Sequence, residues 1–467
     1  MRSALIVLVL AACCSGCAIA PRYHEPVMEM PQSYRSYKTI QDGEDMINLP
    51  WWGVFNDPVL QGLIREALGN NYDLRAAAAR VAEARAMVGS AGSQLFPQVD
   101  LTAGISRDRN SKNSNPPLSK FLSTYMTGFN TSWEVDLWGK IRQSVSSAKA
   151  EYLASENARK GVMVSLVADV AEVYFKILEL DLELDIAKKT LKTREDNLDL
   201  FTKRFKGGVA SELEVSRAEA DYQQTAADIP DIERRIAGQE NKLSELLGRN
   251  PGAIKRTAVL SQESFVPGIP GTGLPSELLK NRPDIMEAEQ LLRSANAEVG
   301  VALGEFMPSL NLANFVGGEG NNFSKVFDPK GYMWSLGGNT DFPLFDGGKN
   351  LYGYAAAKAQ FRQYMASYKQ KVVGAFREVS DSLVNIEKIK TVREKQENQV
   401  AALKKSTDLS RARYEGGYSS YLEVIDADQQ YYEAQKILAR TQGSQVIYYV
   451  QLYRSLGGGW QIEESQK

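Results

Sequence analysis

Arg204-Phe-Lys-Gly-Gly-Val-Ala-Ser-Glu-Leu-Glu-Val215 and Arg413-Tyr-Glu-Gly-Gly-Tyr-Ser-Ser-Tyr-Leu-Glu-Val424 are one stretch written twice, 209 residues apart. Upstream of the first copy, Trp138 to Lys206 contains no proline. Apolar residues recur there at alternating steps of four and three: Leu166, Val170, Val173, Ile177, Leu180, Leu184, Ala187 and Leu191. After a break at Arg194 the register resumes at Leu198, Phe201 and Phe205. A sustained period of about 3.5 residues is a coiled-coil seam, because it keeps one stripe turned toward a partner helix. At about 1.5 Å per residue such a helix runs roughly 100 Å, whereas ordinary helices have about a dozen residues. Gly207-Gly208 reads as the turn that sends a second helix back to Gly248. The expectation is a long projecting hairpin.

With no gap, the same shift lays Ala218 on Ala427, Tyr222 on Tyr431 and Leu247-Gly248 on Leu456-Gly457. A shift of 211 covers the earlier part of each half, placing Asn70, Asp73, Ala77, Ala84, Val88-Gly89 and Pro97 on Asn281, Asp284, Ala288, Ala295, Val299-Gly300 and Pro308. The chain is therefore a tandem duplication of a unit of about 210 residues. The first repeat is expected over 57–257, with a helix, a strand pair near 98–137 and the hairpin 138–248. A linker follows over 258–274. The second repeat covers 275–457, with a strand pair near 309–345 and a hairpin 347–457, and 458–467 is a C-terminal tail.

Between helix and hairpin the period changes to two. Asn56-Asp57-Pro58 starts an alanine-rich helix, Leu60 to Ser93, whose repeat partner is Pro275 to Gly304. Pro97 closes the first of these. Val99, Leu101, Ala103 and Ile105 then alternate with Gln98, Asp100, Thr102 and Gly104. A polar loop from Arg107 to Lys120 leads to Tyr125, Thr127, Phe129, Thr131, Trp133, Val135 and Leu137 on one face. Leu310 and Leu312, a Gly/Asn-rich loop, and Tyr332, Trp334, Leu336, Thr340 and Phe342 repeat the pattern. Strands of about ten residues with apolar outward faces and aromatic ends are the signature of an outer-membrane barrel. Two amphipathic hairpins on a soluble core would show the same alternation. The long helices that follow each strand pair favour the membrane. Four strands cannot close a barrel, and lipid tolerates no open edge. The chain must oligomerise, as two, three or four copies.

Composition excludes several classes. Lys and Arg number 55 against 57 Asp and Glu, so nucleic-acid binding has no electrostatic support. The three cysteines, Cys13, Cys14 and Cys17, all lie at the N-terminus, which excludes a disulfide framework or cysteine metal site in the body. The only histidine is His24. Without His and Cys the common nucleophile–base pairings are missing, and Gly457-Gly-Gly459 before Trp460 is a helix stop, not a phosphate loop. No enzyme, metal site or cofactor is expected.

Met1-Arg2 and the apolar run Ala4 to Ala12 read as a secretory signal too short to span a bilayer. Ser15-Gly16-Cys17 then resembles a lipobox, giving a signal over 1–16 and a lipidated extended tail over 17–56. Leu10-Ala11-Ala12-Cys13 fits the lipobox pattern too, with a shorter apolar run.

Duplication, strand pairs, long hairpins and the Arg-x-x-Gly-Gly turns together resemble the TolC-type outer-membrane efflux family, in its NodT/OprM-like lipoprotein branch. The resemblance covers essentially the whole mature chain. Gly16-Cys17-Ala-Ile-Ala-Pro21-x-Tyr23-x-x-Pro26 looks like that branch's start and favours Cys17. Trp51-Trp52, Asp136-Leu-Trp-Gly-Lys140, Leu246-Leu-Gly-Arg-Asn-Pro-Gly252, Asn281-Arg-Pro-Asp284 and Phe345-Asp-Gly-Gly-Lys349 are also family-like. The resemblance implies a mainly α protomer with a transmembrane β part. Three copies would assemble as a twelve-strand β-barrel in the outer membrane and a twelve-helix periplasmic tunnel. It further implies the exit duct of a tripartite pump, with a periplasmic adaptor and an inner-membrane transporter of the resistance-nodulation-division type.

In that family the hairpin turns form a periplasmic tip that meets the adaptor. Here they map to Arg204, Gly207, Gly208 and Ser211, and to Arg413, Gly416, Gly417 and Ser420. The glycines also satisfy a tight turn. Leu422, Glu423 and Asp426 resemble the family's gate positions, and around a threefold axis the carboxylates would form rings. The first repeat departs from this with Arg217 in place of Asp426, suggesting an Arg217–Asp426 latch between neighbouring hairpins. Ordinary solvated helix charges are the plain alternative. Pro230 inside the return helix suggests a bend. Two competing readings are a structural coiled-coil lipoprotein that braces the envelope, which needs no barrel, and a duct for type I protein secretion.

Overall fold

The computed structural model describes residues 21–29, 34, 55, 57–111, 113, 121–256, 260 and 278–458. The signal, Cys13 and Cys17, Trp51-Trp52, the tip of the first strand loop, most of the linker and the end of the tail lie outside them. The element order is α1 (Pro58–Asn70), α2 (Tyr72–Ser93), β1 (Gln98–Arg109), β2 (Phe121–Glu134), α3 (Lys140–Lys206) and α4 (Glu212–Leu246). The second half repeats it as α5 (Leu278–Asn281), α6 (Pro283–Gly304), β3 (Ser309–Gly320), β4 (Tyr332–Asp341), α7 (Lys349–Glu415) and α8 (Tyr421–Leu456). By contacts the chain divides into two units: Met1–Val27, Ala79–Glu156 and Glu287–Lys369, and the remainder.

The first unit holds one antiparallel sheet in the order β1-β2-β3-β4. Its register puts Leu101 opposite Phe129, Phe129 opposite Val316, and Val316 opposite Trp334. Side chains alternate between faces with period two, so the apolar sets of all four strands share one face. Val99, Leu101, Ile105, Trp334 and Leu336 on it are 62–74% exposed. The sheet is closed at its helix end by tryptophans: Trp133 Nε1 donates to the Leu95 carbonyl at 3.1 Å and Trp138 Nε1 to that of Pro308 at 2.7 Å. Asp136 accepts from the Ile141 and Arg142 amides, and Asp346 from those of Gly348 and Asn350. The two family-like Asp motifs are thus the caps that start α3 and α7.

The expected single helix Leu60–Ser93 is two helices, and the expected Pro275–Gly304, described from Leu278, is broken as well. The breaks fall at Asn71, extended at φ −60° and ψ 132°, and at Arg282, which are equivalent positions. Asn71 accepts from the Leu74 amide at 3.0 Å through Oδ1, capping α2 with its own side chain. In the second repeat Pro283 lacks an amide hydrogen and disfavours helical backbone at Arg282. The Gly/Asn-rich loop between β3 and β4 is also more ordered than expected, with two 3-10 turns, Phe323–Phe327 and Pro329–Gly331. At the N-terminus, Pro26 lies in an irregular tail whose Pro21 carbonyl accepts from Asn296 Nδ2 at 3.0 Å.

The second unit is built on the two hairpins. Val170, Val173, Ile177, Leu180 and Ala187 of the α3 seam are all at most 4% exposed. The seam ends at Phe201, however, and Phe205 is 44% exposed. α4 continues through Pro230 without interruption. No described helix is long and apolar enough to cross a membrane, which says nothing of a β-barrel.

Candidate functional site

The two tips share a backbone and differ in side chains. At the first, the Val209 amide reaches back to the Arg204 carbonyl at 2.9 Å, with Gly208 at φ 74°. At the second, Tyr418 makes the same bond to Arg413 at 2.9 Å, with Gly417 at φ 75°. Only the left-handed backbone closes these turns, and glycine supplies it without a Cβ clash. Ser211 then starts α4 with a capping box: its Oγ accepts from the Glu214 amide at 3.3 Å, and Glu214 Oε2 accepts from the Ser211 amide at 2.7 Å. The bond from the Ser211 amide holds the Glu214 carboxyl below its ordinary value. Ser420, the equivalent residue, makes no side-chain cap. Its partner in the box would be Glu423, which instead faces Arg413 at 3.7 Å with both side chains exposed.

Arg204 and Arg413, equivalent in sequence, therefore do different things. The Arg204 guanidinium lies 5.7 Å from the centre of the Tyr414 ring, and the Tyr414 hydroxyl is 3.4 Å from Glu214 Oε1. Behind it the Phe201 and Tyr421 rings meet tilted at 46°, 3.9 Å between centroids, in a cluster with Ala218, Val424 and Ile425. This small core joins the first hairpin to the second. Burial raises the Tyr414 and Tyr421 hydroxyl pKa values, so both rings stay neutral.

Leu422, Glu423 and Asp426 are all exposed on α8. Asp426 Oδ2 accepts from Gln430 Nε2 at 2.8 Å. Within the protomer, no ion pair joins it to Arg217 among the described residues. The geometry brings the tip residues together and leaves these gate positions on an uncovered face.

Above the tip lies a polar layer that sequence reasoning missed. Arg194, only 3% exposed, donates to Asp428 Oδ2 at 3.2 Å, the Asp221 carbonyl at 2.9 Å and Thr225 Oγ1 at 2.7 Å. Its guanidinium also lies 5.3 Å from the centre of the Tyr432 ring. Gln429 Nε2 donates to Asp221 Oδ1 at 2.7 Å. One side chain thus ties α3, α4 and α8 together. Burial raises the Asp221 pKa, against the opposing pull of Gln429 and Arg194. The signal was the seam's break at Arg194: a charged residue on the stripe that faces a partner must itself find partners.

Further along α3, Glu183 is fully buried between Arg440 at 2.8 Å and Arg235 at 3.2 Å. Burial alone would raise its pKa, but the two guanidinium groups overcome this and lower it. Among the described residues Glu179 forms an ion pair with Lys176 alone, at 2.6 Å, and burial keeps its pKa raised. These groups hold helices together; none pairs a nucleophile with a base.

A family model described as outer membrane efflux protein matches residues 63–249 and again 274–458. The cation efflux system protein CusC of Escherichia coli O6:H1 is 30% identical over 459 residues, covering 98% of this chain and 99% of its own. The probable outer membrane lipoprotein SilC of Salmonella typhimurium is 30% identical, covering 97% of each. The crystal structure of the open state of the Neisseria gonorrhoeae MtrE outer membrane channel superimposes with a TM-score of 0.84 at 29% identity, covering 95% of this chain and 99% of that one.

Proposed function

The chain belongs to the outer membrane efflux protein family, and on that premise we propose that three copies assemble into one duct. It is an outer-membrane efflux channel protein, not an enzyme. In the assembly each protomer supplies four strands to a twelve-strand barrel and its helical hairpins to a periplasmic tunnel.

The observation that carries this reading is the sheet. Among the described residues it has two unpaired edges, β1 and β4, and an apolar face left exposed by the protomer. Neither is stable alone in lipid; joining β4 of one copy to β1 of the next removes both edges. α2 supports the same reading, since its alanine-rich surface buries only Ala77 within the protomer and is free to meet a neighbour.

The chain enters the membrane as a lipoprotein of the NodT/OprM-like branch. Residues 1–16 are a cleaved signal, and Cys17 carries the covalent lipid; a relative described as an outer membrane lipoprotein supports this. The tips, with Arg204, Gly207, Gly208 and Ser211 and with Arg413, Gly416, Gly417 and Ser420, dock a periplasmic adaptor. An inner-membrane transporter of the resistance-nodulation-division type drives the flow of drugs or other small toxic compounds. Leu422, Glu423 and Asp426 line the closed end, with Arg217 of one protomer latching Asp426 of the next.

Native mass spectrometry of the detergent-purified protein, followed by planar-bilayer recording, tests the assembly. A trimer with small cation-preferring currents is expected. A monomer or dimer without channels overturns the shared barrel.

A further inference from the structure

The β3–β4 loop does not stand away from the sheet. Gly318 and Gly320 pair with Thr127 and Tyr125, so they belong to the apolar face. The loop folds back onto that face at both of them. A Cβ on Gly318 would overlap the Val326 carbonyl, and one on Gly320 would come within 2.8 Å of Lys325 Cβ. Val326 is buried as a result. Asn322 and Asp328 fix the fold of the loop by capping its two turns, accepting from the Lys325 and Lys330 amides at 3.1 and 2.9 Å.

Between the loop and the sheet lies a wide-open notch of about 650 Å³. Leu101, Phe129 and Val316 form its sheet wall, with Phe327, Pro329 and Tyr332 on the loop side. The lining is mostly apolar and the cavity opens on the face of the exposed strand residues. Lys325 and Lys330, next in sequence to the lining residues Val326 and Pro329, are exposed, and neither ammonium group is in an ion pair among the described residues; the one charged residue in the lining itself is Asp328, whose carboxylate accepts from the Lys330 amide. β3 leaves the helix end of the sheet at Ser309, so the loop sits at the opposite, outer end.

We propose that this notch binds a membrane lipid with a phosphate headgroup, one acyl chain lying against Leu101 and Phe129 and the phosphate meeting Lys325 and Lys330. The proposal rests on the reading that the apolar face meets the bilayer. Two features select a lipid as the occupant. The cavity opens where acyl chains would run, and the loop beside it carries two lysines against the single carboxylate of Asp328, a net positive charge that an anionic headgroup complements. Exposed Phe323 and Phe327, edge to face at 5.5 Å, add the aromatic pair found at membrane interfaces.

The test is native mass spectrometry of the full-length, delipidated oligomer in detergent, titrated with dioleoylphosphatidylglycerol or dioleoylphosphatidylcholine. One phosphatidylglycerol per protomer should be retained, about tenfold more tightly than phosphatidylcholine. Leu101→Trp, which fills the notch, should abolish retention of both. The double substitution Lys325→Gln and Lys330→Gln should remove the preference and leave chain binding intact. Equal retention of the two lipids by the native protein, or unchanged binding by Leu101→Trp, overturns the proposal. Planar-bilayer currents separate the two readings. Conducting protein without a retained lipid sinks the notch alone, whereas failure to insert sinks the barrel and the notch with it.

Discussion

The Asn71 side-chain amide donates to the Leu246 main-chain carbonyl at 2.9 Å. The equivalent Arg282 reaches the equivalent carbonyl, that of Ser455, at 2.8 Å. The last carbonyls of a helix have no partner within it, so each break between the first two helices of a repeat ties down the end of that repeat's return helix. Gly248 and Gly457 follow at φ 70° and 78°, and a Cβ on either would run into Asn70 or Arg282. Asn71→Ala leaves a carbonyl without its donor and α2 without its cap. It should cost about 1–3 kcal/mol. Thermal unfolding followed by circular dichroism checks this; a midpoint no lower than that of the exposed control Asn250→Ala would refute it.

Arg194→Ala should be the most damaging single change in the hairpins. It leaves Asp428 and the Asp221 carbonyl facing each other without their shared cation, a loss of about 3–5 kcal/mol for a buried pair. Adding Asp428→Leu to Arg194→Met should recover much of that, since the uncompensated carboxylate is gone. A double variant as unstable as Arg194→Ala would show that the ring contact with Tyr432 matters more than the charge.

The tips should respond unequally to the same substitution. Ser211→Ala removes a working cap and should cost about 0.5–2 kcal/mol, seen as faster hydrogen exchange at the Glu214 amide. Ser420→Ala removes a hydroxyl that caps nothing and should leave exchange at Glu423 unchanged. Equal acceleration at both tips would contradict the asymmetry.

Glu183 gives the helical unit a sensitivity to acid. Its folded pKa is lowered relative to an unfolded value of about 4.3. The stability it contributes is therefore fully present above that value and is lost as pH falls through the folded pKa. The gap in thermal midpoint between the native protein and Glu183→Gln should be widest near neutral pH and close below about pH 4. A gap independent of pH would mean that Glu183 is held by packing alone.

Asp426→Ala should raise single-channel conductance, because it removes the acceptor proposed to latch Arg217 of a neighbouring protomer. Arg217→Ala should do the same. An unchanged closed state in both variants would remove the latch and leave Asp426 as a solvated helix charge held by Gln430.

By itself the sequence determined the repeat, the period of each segment and hence the order of helices and strands. These are local properties: a seam of about 3.5 residues, an alternation of two, and a glycine where the backbone must turn left-handed. It also excluded chemistry by what it lacks. Other features depended on which side chains meet in the folded chain. Asn71 breaks its helix while capping α2 and reaching the carbonyl of Leu246, and Arg194 interrupts a seam because Asp428 and Thr225 wait across it. Serines 211 and 420 look alike, yet only the first has a glutamate free to close the box, the second glutamate facing Arg413 instead. Asn71 and Leu246 are 175 residues apart, and Arg194 and Asp428 234; partners so distant leave no periodic trace in a chain, so only the tertiary structure could assign them.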